Sequence, residues 1–171
     1  MKYLIVVDMQ VDFINGSLGS DMAMKIVPSV VKKVKSFNGK VIFTKDTHFS
    51  NYLSTQEGKK LPVEHCIKGT EGWELCKELR PYAETVIEKE TFGSVLLPNI
   101  IKACGEEVEE IELCGLCTDI CVISNAMLLK ANFPEVKIVV DASCSAGVTV
   151  NSHENALNAM RAVQIEIIND K

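Results

Sequence analysis

The chain has 171 residues, with 18 Lys and Arg against 23 Asp and Glu, for a formal net charge of −5 and no basic run. That balance argues against nucleic acid or an anionic membrane as partner. Hydrophobic residues make up 47% and charged residues 24%, values that exclude a disordered chain and suit one globular domain spanning 1–171. The opening apolar run, Tyr3 to Val7, is too short for a signal peptide or a membrane span, and Asp8 interrupts it. The seven cysteines, an odd number, then read as reduced thiols in the cytoplasm.

Tyr3 to Val7 is apolar throughout and reads as the first strand, central in a parallel sheet. A polar loop follows from Gln10 to Ser20. Met22 to Phe37 then shows helical spacing, and Pro28 inside it places the start of the regular helix near that residue. Lys40 to Thr44 is the second strand. Lys45 to Thr70 is a long connection without periodicity, which points to a functional loop. A short helix is expected over Gly72 to Leu79, a strand over Thr85 to Ile87, a helix over Val95 to Ala103 and a strand over Val108 to Leu113. Beyond Gly115, where the chain can reverse sharply, Thr118 or Asp119 is placed to cap an apolar helix from Asp119 to Ala131. Val136 to Val140, Asn151 to Ala162 and Gln164 to Ile168 complete the pattern as strand, helix and strand. Such alternation predicts an α/β fold, a three-layer sandwich with a mainly parallel six-stranded sheet between helices.

Ligands of such sheets bind at the carboxyl ends of the strands. Asp8, Asp46, His48, Lys89 and Asp141 fall there, together with the stretch from Cys114 to Cys121. Asp8, Lys89 and Cys121 form a nucleophilic set. A thiol needs a base at neutral pH, Asp8 offers one, and Lys89 can orient Asp8 and favour the thiolate. Taken singly, the Asp reads as a turn former, the Lys as a solvated cation and the Cys as a core residue. Asp46-Thr47-His48 followed by His65 is a second set, suited to zinc, iron or manganese, with Glu57 and Glu64 as further ligands or supporting groups. Two of the three histidines fall in that segment; the third, His153, reads as structural.

The same residues resemble the cysteine hydrolase superfamily that includes isochorismatases and nicotinamidases, over essentially the full chain. Asp8-Met9-Gln10-Val11-Asp12-Phe13 is similar to its D-x-Q-x-D-F opening, Glu88 to Phe92 to its lysine segment, and Gly115 to Val122 to its G-x-x-T-D-x-C-V motif. The resemblance implies Asp8, Lys89 and Cys121 as catalytic triad and the backbone N–H groups of Cys117 and Cys121 as oxyanion hole. It also implies a cis peptide between Leu116 and Cys117. Pro62 to Gly72 resembles the metal segment of nicotinamidases, which implies Asp46, His48 and His65 as ligands of a divalent cation that fixes a pyridine ring. Phe49 stands where nicotinamidases commonly carry proline, and Asn51-Tyr52 where some carry another histidine. Phe13 and Phe92 are the expected ring contacts. The implied activity is conversion of nicotinamide to nicotinate and ammonia in NAD salvage, by thioester chemistry.

Two other readings stay open. A relative with the same fold can act on another small amide, carbamoyl or vinyl ether substrate. Cys114-Gly115-Leu116-Cys117 is also a C-x-x-C, the pattern of a thiol–disulfide redox protein, and with Cys121 it offers three thiols to a structural metal or cluster. Exposed apolar helix faces would allow a homo-oligomer.

Overall fold

The computed structural model describes residues 1–170; Lys171, the last residue of the expected domain, lies outside the described residues. Six strands, β1 (Lys2–Val7), β2 (Lys40–Asp46), β3 (Val86–Lys89), β4 (Glu110–Leu116), β5 (Lys137–Ala146) and β6 (Glu166–Ile168), form one sheet in the order β3-β2-β1-β4-β5-β6. Every pairing is parallel, so the expected mainly parallel sheet is wholly so. The order reverses between β1 and β4, the place where an open α/β sheet leaves a crevice at its carboxyl edge.

Alternation along β1 assigns the two layers. Tyr3, Ile5 and Val7 pack with α4 (Leu97–Ala103), α5 (Ile123–Asn132) and α6 (Val150–Ala162) through Leu97, Ile101, Ala126, Leu129, Leu157 and Met160. Leu4 and Val6 face α2 (Asp21–Ser36), through Ala23, Ile26, Val30 and Val34. Two short helices, α1 (Val11–Ile14) and α3 (Gln56–Lys60), lie in the connections after β1 and β2. None of the described helices is long and apolar enough to cross a membrane.

Several expected boundaries move, each for a local reason. The second-layer helix α2 begins at Asp21, not near Pro28, because the Ser20 side chain accepts the Ala23 N–H and caps it; Pro28 is held inside the helix by the buried apolar face on either side. Gly72 to Leu79 is no helix. A single 3₁₀ turn, Glu71–Trp73, is followed by backbone that pairs with the loop after β1: Val11 N–H donates to Glu74 and Cys76 N–H to Met9. β4 and β5 both outrun their apolar cores. β5 continues to Ala146 because Asp141, Ser143 and Ser145 satisfy one another: Ser143 donates to the Asp141 carboxylate and Ser145 to the Asp141 carbonyl. Gly115 lies within β4 at φ +118°, where a Cβ would come 2.2 Å from the Val7 carbonyl oxygen, so the two central strands meet there only over a glycine.

Candidate active site

The chain beyond β4 is where the fold departs most from expectation. After the cis Leu116–Cys117 peptide comes a π-helical turn, Thr118–Val122, which then passes into α5. Neither Thr118 nor Asp119 caps it. Thr118 Oγ1 is 2.8 Å from His153 Nδ1, and Asp119 accepts the Val148 N–H, so both side chains tie the turn to the start of α6. His153 therefore has the structural role expected of it. Cys121 is the fourth residue of this widened turn, a common place for functional side chains, rather than the first turn of a regular helix.

Asp8, Lys89 and Cys121 meet. Lys89 Nζ is 2.6 Å from Asp8 Oδ2, an ion pair rather than an aligned hydrogen bond, and 3.5 Å from Cys121 Sγ. All three are buried, and Asp8 takes its position in the left-handed region at φ +46°, its N–H turned to the Thr44 carbonyl and hydroxyl. Thr44 Oγ1 donates to the other oxygen of Asp8 at 2.6 Å. Burial holds the Asp8 carboxyl above its usual range against the opposing pull of Lys89. Burial and the charge of Asp8 likewise hold the Cys121 thiol well above its usual value, with Lys89 working the other way. Burial thus works against a standing thiolate, in keeping with the need for a base that made Asp8 a candidate beside it.

The second constellation adjoins the first through one side chain. Asp46 Oδ1 is 3.3 Å from Lys89 Nζ, while its Oδ2 is 2.8 Å from His48 Nε2 and 3.6 Å from His65 Nε2. Glu57 Oε1 completes the group at 3.5 Å from His48 and 3.8 Å from His65, and the four donor atoms all lie within 4.8 Å of one another. Glu64 is exposed and takes no part. The donor set fits a divalent cation on its own chemistry. His65 Nδ1 lies 2.8 Å from the Val63 carbonyl, which can only accept, so Nδ1 carries a hydrogen and Nε2 is the nitrogen that faces the two carboxylates. His48 Nε2 is buried without an aligned hydrogen-bond partner. Burial pulls the His65 imidazole down, yet Asp46, the Val63 carbonyl and Glu57 outweigh it and hold the ring above its usual value. The group is built around positive charge.

Several supporting residues escaped the sequence reading. Gln10 donates to the Asp46 and Trp73 carbonyls, both at 2.8 Å, and accepts the Asp46 N–H at 2.8 Å. Asp12 accepts the Cys66 N–H at 2.8 Å and so docks the His65 segment, and Gly72 leaves room for that same carboxylate. The signal for Gln10 and Asp12 was their place in the D-x-Q-x-D-F stretch, which marks both residues without saying which backbone groups they meet. Phe13 lies 5.5 Å from the His65 ring, centroid to centroid, beside the cation group. Phe92 stands on the loop after β3 and is 45% exposed. Tyr52, where a further histidine was looked for, packs its ring 4.7 Å from His48 and 5.0 Å from His65 but turns its hydroxyl to the Leu61 carbonyl. The C-x-x-C thiols are poor redox candidates: burial raises Cys114 well above its usual value, and burial, with Asp119 and Asp8, pushes Cys117 up to about 12. Among the described residues, the three thiols Cys114, Cys117 and Cys121 form no metal-holding group.

A doubly wound parallel sheet with acid, ammonium and thiol at its carboxyl edge defines the class, and the chain belongs to the isochorismatase family, whose domain model matches residues 2–170. It is 26% identical to the nicotinamidase/pyrazinamidase of Mycobacterium tuberculosis over 98% of both chains. Among solved structures it is similar to the pyrazinamidase of Pyrococcus horikoshii in complex with zinc, with a TM-score of 0.85 at 27% identity over 99% of each chain. It is also similar to the N-carbamoylsarcosine amidase of Thermoplasma acidophilum, with a TM-score of 0.80 at 28% identity over 97% of this chain and 94% of that one.

Proposed function

We propose that this chain is an amidohydrolase that converts nicotinamide to nicotinate and ammonia through a thioester on Cys121, a step of NAD salvage. The observation that carries the reading is the shared edge: a thiol, a carboxylate and an ammonium in contact, beside an Asp-His-His-Glu group joined to them through Asp46. Asp8 takes the Cys121 proton as the sulfur attacks the amide carbon. The oxyanion is held by the backbone N–H groups of Cys117 and Cys121. Asp8 returns the proton to the leaving nitrogen, the C–N bond breaks, and ammonia departs. Water then attacks the thioester, giving its proton to Asp8; the C–S bond breaks and Asp8 reprotonates the sulfur, which leaves the carboxylic acid. Lys89 stays charged throughout, paired with Asp8 and Asp46. Asp46, His48, Glu57 and His65 would hold a divalent ion of zinc, iron or manganese, which when bound supplies a Lewis-acid anchor for a ring nitrogen. On this reading Phe13, 5.5 Å from the His65 ring, and the half-exposed Phe92 would contact the substrate ring.

The likeness to N-carbamoylsarcosine amidase favours a second reading, in which the same residues cleave a carbamoyl compound or another small amide. Ammonia release from nicotinamide, pyrazinamide and a set of carbamoyl compounds separates the two. Nicotinamide is expected to turn over fastest, and Cys121→Ala to abolish release while the circular dichroism spectrum is unchanged. Release confined to carbamoyl compounds would transfer the assignment to the second reading. Activity surviving in Cys121→Ala would end the thioester mechanism.

A further inference from the structure

Lys89 and Cys121 must keep a fixed separation, yet the sheet does not set it. Their strands, β3 and β4, are not neighbours; β2 and β1 stand between them. A hydrogen-bonded link between the two backbones is made by a side chain with no part in the chemistry above. Asn125, four residues beyond Cys121 in α5, is fully buried in an otherwise apolar layer. Its Nδ2 donates to the Cys121 carbonyl at 2.8 Å and to the Phe92 carbonyl at 3.3 Å, and its Oδ1 accepts the Ser94 N–H at 2.9 Å. One partner belongs to the nucleophile's turn, and the other two to the loop that leaves β3 just after Lys89.

That loop is fitted to α5 independently. A Cβ on Gly93 would come 2.6 Å from Leu128 Cδ1 and 3.2 Å from the Ser124 carbonyl, so the backbone lies directly on the helix. Thr91 Oγ1 donates to the Gly93 carbonyl at 2.7 Å, and Ser94 Oγ accepts the Leu97 N–H at 3.3 Å, which runs the loop straight into α4. A buried amide with both its donors used and its oxygen accepting rigidifies what it joins. We infer that Asn125 is a positioning residue, which holds the Cys121 turn against the loop leaving β3 and thereby keeps the thiol in reach of Lys89 and Asp8. The inference rests on the hydrolase reading for its purpose, though not for its test.

Asn125→Thr and Asn125→Val are nearly the same shape, but only threonine can donate to the carbonyl four residues back, here that of Cys121. The probe is the rate of iodoacetamide alkylation of Cys121, located by peptide mass spectrometry, with the exposed Cys104 as internal control. In folded Asn125→Val, Cys121 alkylation and kcat should fall by about 10- to 100-fold with KM changed far less, the usual cost of a misplaced reacting group. In Asn125→Thr, which keeps the bond to Cys121 but neither bond to the loop, both should stay within about threefold of the valine variant, because the bridge is still broken. Cys104 should react alike in all three proteins. Wild-type Cys121 reactivity in the valine variant, or recovery in the threonine variant, would overturn the assignment. Should valine prevent folding, Asn125→Ser against Asn125→Ala makes the same comparison with smaller side chains. Alkylation needs no turnover, so failure of every amide to release ammonia would sink the hydrolase reading and leave this result standing.

Discussion

At the scale of single residues, the site is a contest between burial and pairing. Asp8 and Cys121 are both pushed toward their neutral forms, and Lys89 is the charge that makes ionisation of either affordable. Asp8→Asn keeps the size and loses the base. Because Lys89 retains Asp46 at 3.3 Å, the variant should fold normally while kcat drops by the roughly 10²–10⁴-fold that general acid–base catalysis contributes. Steady-state kinetics beside a melting curve test this, and a kcat within a factor of a few of wild type would remove Asp8 from the proton transfers. These residues stood out in the sequence only together, as three ionisable groups at strand ends of one sheet that also fall on the motifs of one family. Asn125 and Thr44 did not, since nothing in a linear pattern says which buried polar atom finds a distant partner.

Elements are held together by a second buried ionic group, far from the chemistry. Lys33 on α2 pairs with Glu112 of β4 and with Asp141 of β5 at 2.7 Å, so the helix is pinned to two adjacent strands. Burial works upward on Asp141, but hydrogen bonds from Lys33, Ser143 and Asn169 outweigh it and hold the carboxyl below its usual range. A depressed carboxyl stabilises the fold above its unfolded value, about pH 4, and loses that contribution as pH falls through the folded one. Asp141→Asn should therefore cost about 1 kcal/mol at neutral pH, because Lys33 keeps Glu112 as its partner, and the gap from wild type should close below about pH 4. Urea melts at several pH values measure it; a gap independent of pH would show that the ion pair is not its source. The same network explains why β5 was read as ending at Val140. Its later residues are polar, and their pairing depends on Lys33 arriving from another element. Pro28 misplaced the start of α2 for a related reason: tertiary packing of Ile26 and Val30 outweighs one missing hydrogen bond.

For the whole molecule, alternation of strand and helix disclosed the three layers, but the order β3-β2-β1-β4-β5-β6 rests on pairings between distant residues, such as Lys2 with Glu110, which leave no local mark. That order carries β2 with its cation group to the edge where β1, β3 and β4 deliver the triad. Since the group draws on β2, α3 and the loop before Glu71, a bound ion should stabilise the entire fold. At a free concentration a hundredfold above Kd, the gain is about 2.7 kcal/mol. Dialysis against a chelator should lower the melting temperature, and zinc, iron(II) or manganese should restore it, whereas His48→Ala should show no response. Melting that is indifferent to both treatments would rule out the ion.

The two oxygens of Asp46 look in opposite directions, one toward Lys89 and one toward the imidazoles. Neither half of the pocket can therefore be remodelled alone. Exchanging this carboxylate for a neutral donor would leave the lysine to Asp8 alone, and replacing the lysine would strand the carboxylate that the imidazoles share. A substitution at Asp46 would be felt at the thiol and at the imidazoles together, whereas one at Glu57 touches the imidazoles alone.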